Sequence, residues 1–246
     1  MSTLLLRLAA PLQSWGTSSR FTRRTTDLAP SKSGIIGLLA AAQGRRRVDP
    51  ITDLLDLRVG VRIDQAGQLE RDFHTARTRD GDTAMPLSER FYLADAVFTV
   101  AVEGPAELTA ALHDALLRPA FPLFLGRRSC PPAGKLVLGL LDDGLDDVLD
   151  ATSWQASPRV QQRHREPTVT LDIVRDCPPE ADDAKQFVDG VHRKVVRDQP
   201  ISFDPRHRQY SWRTVAYTTT TIPNPRHQPT PGTGADPHDP MAELGA

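Results

Sequence analysis

Apolar positions along the chain come in short runs separated by proline, glycine and charge, and their spacing predicts alternating strands and helices. "TLLLRLAAPLQSW" opens with an apolar run closed by Pro11, the pattern of a buried first strand. In "SKSGIIGLLAAAQG", Ile35, Leu38, Leu39 and Ala42 recur at helical spacing; Ser31 or Ser33 can cap the start and Gly44 ends it. "LLDLRVGVRID" alternates enough for a second strand, and "FYLADAVFTVAVEG" is the best strand pattern in the chain. Between them, residues 66–90 are polar and glycine-containing, an excursion rather than core. "PAELTAALHDALLRP" is an amphipathic helix with Pro105 at its start and Pro119 past its end, and "GKLVLGLLD" is a further strand.

The order is βαββαβ with an excursion in the middle. That predicts an α+β fold with a ferredoxin-like (RRM-like) domain over residues 1–150. After Asp150, "PTVTLDIVRD" and "QYSWRTVAYTTTTI" read as strands joined by a basic loop, "VHRKVVRDQPISFDPRHR". They are expected to extend the same domain over 151–221. Residues 222–246, dominated by Pro, Gly, His and Asp, are expected to form a disordered tail.

The 246 residues suffice for a substantial core. The net charge of −1 announces no nucleic-acid partner, but it conceals an asymmetry. Residues 1–47 carry eight Lys/Arg against one acid, Asp27, whereas residues 142–150 carry five aspartates and no base. One end of the molecule is therefore expected to be strongly positive. Two distant cysteines, Cys130 and Cys177, exclude a disulfide framework and a Cys-rich zinc site. The opening residues lack a signal-peptide layout and no run reaches membrane-spanning length, so a soluble, cytoplasmic protein is expected.

Three stretches carry candidate chemistry. "APSKSGIIG" lacks the glycine spacing of a phosphate-binding loop, but it places Ser31, Lys32 and Ser33 at a helix N-terminus. That end is either a plain cap or an anion site. Arg20, Arg23 and Arg24 upstream and Arg45, Arg46 and Arg47 downstream favour phosphate. "FPLFLGRRSCPPAGK" sets Arg127 and Arg128 side by side on a turn that Gly126 bends and Pro131 and Pro132 stiffen. Two guanidinium forks, a hydroxyl and backbone donors on a rigid turn suit an RNA backbone or a splayed base. "FHTARTRDGD", within the excursion, is either a loose loop or a hairpin reaching away from the domain. Seven histidines are present, but none falls in HExxH or in H-x-E with PCxxC, and no G-x-S-x-G occurs.

"LLLRLAAPLQSWG", "PSKSGIIGLLAAAQG", "FHTA", "YLADAVFTVAVEG", "PLFLGRRSCPP" and "VRDQPISFDPRHRQYSWRTV" occur in that order. Together, over about residues 3–218, they resemble the CasD branch of the Cas five superfamily, subunits of the type I-E CRISPR Cascade complex. The resemblance implies a domain with a protruding hairpin, the thumb, over about residues 66–92. It implies a subunit that grips the repeat-derived 5′ handle of the guide crRNA and contacts the CasC backbone and the large CasA subunit. Target DNA would meet it within the assembled complex, where base pairing reads sequence. Residues expected to meet RNA are Gln13, Trp15, Gly16, Arg20, Arg24, Lys32, Ser33, Arg45, Arg46, Arg127, Arg128, Ser129 and Cys130. Phe73, His74, Thr75, Arg77 and Arg79 would belong to the thumb. No catalytic residue, metal or cofactor is expected.

A sister branch of the superfamily cleaves its own guide RNA with a tyrosine–lysine–histidine set. Such cleavage needs a base for the 2′-hydroxyl and an acid for the leaving oxygen. His192-Arg193-Lys194 is the nearest approach in this chain and does not match that pattern. A generic RNA-binding module would show stacking aromatics on its sheet, and aromatics are only 6% of the chain.

Overall fold

The computed structural model describes residues 1–16, 22–177, 187–188 and 191–228. The first half forms β1 (Ser2–Ala9), β2 (Leu12–Gln13), β3 (Arg23–Arg24), α1 (Lys32–Ala42), β4 (Arg58–Gln65), β5 (Gln68–His74), β6 (Ser88–Ala94), β7 (Val97–Gly104) and α2 (Ala106–Leu117). The second half forms β8 (Val137–Leu141), α3 (Leu145–Ala151), α4 (Pro158–Arg163), β9 (Thr168–Asp176), β10 (Phe187–Val188), β11 (Val191–Ser202) and β12 (Gln209–Pro223). The fold is mixed α+β, built on one large antiparallel sheet with few helices. Its eight strands run β10-β11-β12-β9-β4-β7-β1-β8. β6 centres a second sheet, flanked by β5 on one edge and by β2 and β3 on the other.

β1 lies inside the sheet between β7 and β8, and its residues are buried on both faces; this is why its sequence is apolar almost without alternation. Leu4, Leu6 and Leu8 join Phe98, Val100 and Val102 of β7 in the main core with Ile35, Leu39 and Leu112 from α1 and α2. On the other face, Leu145 and Leu149 of α3 pack on Ala101 and Ile173. No helix among the described residues is long and apolar enough to cross a membrane.

Several boundaries differ from those expected. "FYLADAVFTVAVEG" is two strands in two sheets: the chain breaks at Asp95, which adopts φ 57°, and passes from the central strand of the second sheet to the interior of the first. The sequence hides this break because apolar residues lie on both sides of the single Asp95. "VHRKVVRDQPIS", expected as a loop, is the twelve-residue strand β11. It pairs along β12 with register shifts near Val196 and Pro200, which let the ladder tolerate the proline. The acidic stretch at 142–150 contains α3, with Asp146 and Asp147 in its first turn, where the helix dipole favours them. Residues 222–228, expected to belong to the tail, are described and packed on the fold. Ile222 is buried beside Trp154 and Leu171, and the buried Asn224 donates to the carbonyls of Gln161 (3.0 Å) and His164 (2.9 Å). Residues 229–246 of that tail lie outside the described residues.

Two buried ionic clusters fasten the layers. Arg62 and Asp64 on β4 are fully buried 2.9 Å apart, and Arg62 also donates to the carbonyls of Thr152 (2.6 Å) and Ser153 (3.0 Å) beyond α3. The second cluster joins α1 to the C-terminal strands. Asp176 accepts from Lys32 Nζ (3.0 Å), from the Val59 backbone N–H (2.9 Å) and from Arg213. Asp198 accepts from the Lys32 backbone N–H (2.8 Å) and from Arg213 Nη2 (2.9 Å) and Nε. Burial alone would lower the Arg213 pKa; Asp198 and Asp176 outweigh that and hold the guanidinium charged.

Removing one member of this second cluster strands the others without water. Asp198→Ala should therefore destabilise the chain by about 3–5 kcal/mol in a denaturant titration. The exposed partner of Arg45, Asp53, gives the contrast: Asp53→Ala should change stability by no more than about 1 kcal/mol.

Candidate nucleic-acid interface

Ser31 caps α1, its hydroxyl accepting from the Gly34 N–H at 3.2 Å. The Lys32 N–H at the same end goes to Asp198, an internal carboxylate. The expected anion site is thus filled by the protein itself, and Lys32, buried against Asp176, does not reach the surface. The side of the helix remains available. Ser33, Gly34 and Gly37 line one wall of a groove of about 900 Å³, and Arg45, Arg46 and Arg47 follow just past the helix end.

The facing wall is the stretch Phe121–Phe124 with Gly126, Arg128 and Pro131. Its turn is self-bonded: the Leu125 N–H donates to the Cys130 carbonyl (2.7 Å) and the Cys130 N–H to the Arg127 carbonyl (2.9 Å). Gly126 sits at φ 83°, and a Cβ there would fall 1.7 Å from the Ser14 carbonyl oxygen. Only glycine lets this turn lie flat on the first connection. Trp15 closes the inner end. Its indole Nε1–H donates to Gln13 Oε1 (3.1 Å), while Gln13 Nε2 donates to the carbonyls of Ala96 (2.7 Å) and Leu8 (3.2 Å).

The expected RNA-binding residues divide accordingly. Trp15, Gly16, Ser33, Arg45, Arg46 and Arg128 converge on the groove. Gln13 does not: it is fully buried, with both ends of its amide engaged in orienting Trp15. Cys130 is buried in the core, and burial pushes its thiol pKa up, so it is a packing residue. The adjacent arginines part company. Arg128 is exposed toward the groove, whereas Arg127 lies 4.7 Å over the Tyr92 ring and donates to the Arg24 carbonyl (2.8 Å), tying the turn to the second sheet. Arg24 and Ser129 are exposed but outside the groove lining, and Arg20 lies outside the described residues.

Arg45 is paired with Asp53, whose hydrogen bond raises the Arg45 pKa while its own carboxyl is held below the ordinary range. Among the described residues, Arg46, Arg47 and Arg128 have no acidic partner within salt-bridge reach, and no carboxylate, histidine or lysine lines the groove. Five arginines in all line it, counting Arg208, so the groove carries a concentrated positive field. Phe121, Phe124, Phe203, Arg208 and Tyr210 were not among the residues singled out from sequence. Arg47 lines the groove with the rest of the basic run named from sequence. Phe203, Arg208 and Tyr210 are brought to α1 only by the β11–β12 pairing.

The excursion is a hairpin, paired from Gln68↔Ala94 to His74↔Ser88 and continued toward its tip by the Arg77↔Ala84 bridge. Phe73 is 49% exposed with Arg71 stacked on it at 5.0 Å; His74 pairs with Asp72; Thr75, Arg77 and Arg79 are exposed. Leu69, Met85 and Leu87 are exposed on the same hairpin, away from the groove lining.

Gly126→Ala should lower the unfolding free energy by about 1–3 kcal/mol, because the new Cβ strains the backbone and displaces the turn from Ser14. Gly139→Ala, whose added Cβ meets open space, should leave denaturant stability close to the parent.

The comparisons with known proteins agree on one family. Residues 3–216 match the family described as CRISPR-associated protein (Cas_Cas5). The chain is 35% identical over 227 residues to the CRISPR system Cascade subunit CasD of Escherichia coli (strain K12), covering 83% of this chain and 91% of that one. Among solved structures it is similar, at 35% identity and a TM-score of 0.70, to a chain of a CRISPR RNA-guided surveillance complex, covering 90% of this chain and 91% of that one. It is also similar, at 35% identity and a TM-score of 0.67, to a chain described as a crystal structure of a Cas protein, covering 93% of this chain and 99% of that one. The chain belongs to the CRISPR-associated Cas5 family.

Proposed function

We propose that this chain is the non-catalytic RNA-binding subunit of a type I-E Cascade complex. It caps the 5′ handle of the guide crRNA and helps position guide and target DNA. The observation that carries this reading is the arginine-lined groove between α1 and the 121–131 segment, walled by aromatic and aliphatic side chains and free of lining carboxylates among the described residues. Guanidinium groups beside apolar walls suit single-stranded RNA, whose phosphates and exposed bases need both. The kinship to CasD supports the assignment to a Cascade complex with CasC-like and CasA-like partners. The strand order β4-β7-β1-β8, with α1 and α2 as crossovers, supports a ferredoxin-like core over 1–150, and β9–β12 extend its sheet. The β5–β6 hairpin would be the thumb.

Guide cleavage by this chain is the alternative, and no specific observation favours it. A cleaving site needs a base and an acid at one scissile phosphate. His192 and Lys194 lie on β11, where His192 stacks beside Tyr217, and neither lines the groove.

Measured by fluorescence anisotropy with a labelled repeat-derived RNA, log affinity should fall linearly with log salt. Arg128→Ala should flatten that slope by about 0.7, one single-strand phosphate contact. The RNA should remain intact on a denaturing gel. An unchanged slope, or cleavage abolished by His192→Ala, would refute this reading.

The hairpin tip generates a separate expectation. Replacing residues 75–87 with a short Gly/Ser turn leaves β5 and β6 able to pair, so thermal unfolding of the chain alone should be nearly unchanged. Incorporation into the reconstituted complex, or capture of target DNA by it, should fall. A variant that assembles and captures target like the parent would show the hairpin tip to be dispensable.

A further inference from the structure

The turn between β11 and β12 reaches the groove from the far end of the sequence. Phe203, Arg208 and Tyr210 all line it. Phe203 sits against α1, with its ring edge 3.8 Å from where a Cβ on Gly37 would stand, and packs on the main core. Arg208 is exposed, and among the described residues no acid lies within salt-bridge reach of it. The nearby Asp204 accepts from the Arg206 backbone N–H within the turn at 2.8 Å. The turn therefore offers a groove an unneutralised guanidinium and an aromatic face, the same two features as the opposite wall.

Its position depends on the buried ionic cluster. Asp198 on β11 bonds the first N–H of α1, and Arg213 on β12 bridges Asp198 and Asp176. Gln199 adds a bond to the Leu55 carbonyl at 3.0 Å. Arg213 can do this because a planar guanidinium presents several donors in fixed directions; a lysine ammonium keeps the charge but cannot span both carboxylates in that geometry.

We propose that the β11–β12 turn is the closing wall of the RNA groove, with Arg208 as a phosphate ligand, Tyr210 as a base-contacting face and Arg213 as the residue that positions both. This rests on the RNA-binding reading above and adds binding residues from the C-terminal strands to it.

The test uses the full-length chain and the labelled repeat-derived RNA. Arg208→Ala should flatten the salt slope by about 0.7. Tyr210→Ala should weaken binding about 5- to 100-fold with the slope unchanged, and Tyr210→Phe should bind like the parent. Arg213→Lys should reproduce the losses of Arg208→Ala and Tyr210→Ala together, and adding Arg208→Ala to it should cost nothing further, because the ligand is already misplaced. A purely structural Arg213 would instead give additive losses, overturning its positioning role. If Arg213→Lys does not fold, the two turn variants decide. Parent-like binding by Arg208→Ala and Tyr210→Ala, with Arg128→Ala still impaired, would make the turn a solvent or protein surface and overturn the proposal alone. Parent-like binding by all three would remove the RNA-binding reading itself.

Discussion

Four charges buried together decide how this chain closes. Asp176 and Asp198 come from β9 and β11, Arg213 from β12, and Lys32 from the first turn of α1. Burying an isolated carboxylate or cation is costly, and the Coulombic return offsets that cost only when the remaining donors and acceptors are also satisfied. Here both Asp176 oxygens and both Asp198 oxygens accept hydrogen bonds, two of them from backbone N–H groups of α1 and β4. The cluster is electrically balanced, and its members lie far apart in sequence. It forms only when the C-terminal strands dock on the N-terminal half.

That closure decides which part of α1 stays open to solvent. A helix N-terminus with Ser-Lys-Ser is chemically suited to an external phosphate, and here the protein supplies its own anion in Asp198. The helix keeps its side and its C-terminal arginines for solvent. The groove forms beside α1, between the 121–131 segment and the β11–β12 turn. The same economy governs Arg127 and Arg128. Adjacent residues on a tight turn point in different directions, so one guanidinium fastens the turn to Tyr92 and the Arg24 carbonyl while the other faces the groove.

Much of the architecture was legible because burial leaves periodic marks. The doubly covered β1 is continuously apolar, α1 repeats its apolar residues at helical spacing from a serine cap to Gly44, and the polar 66–90 stretch could not have been core. The failures have physical causes. Asp95 is a single exposed residue between two apolar stretches, so one strand was expected where two occur. β11 lies toward the edge of the sheet and carries charges on its exposed positions, so its alternation reads as a basic loop.

The candidate site divides in the same way. The sequence by itself determined that the N-terminal segment is basic, that Arg128 stands on a turn needing glycine at 126, and that the 66–92 region is an excursion, because local composition and backbone chemistry suffice for each. Only the tertiary structure decided that Gln13, Lys32 and Cys130 are interior, that Arg127 is a tether, and that Phe203, Arg208 and Tyr210 share a groove with Arg45–Arg47. Whether a polar side chain meets solvent or a buried partner depends on which distant segment packs over it. For Lys32 that segment lies more than 140 residues along the chain.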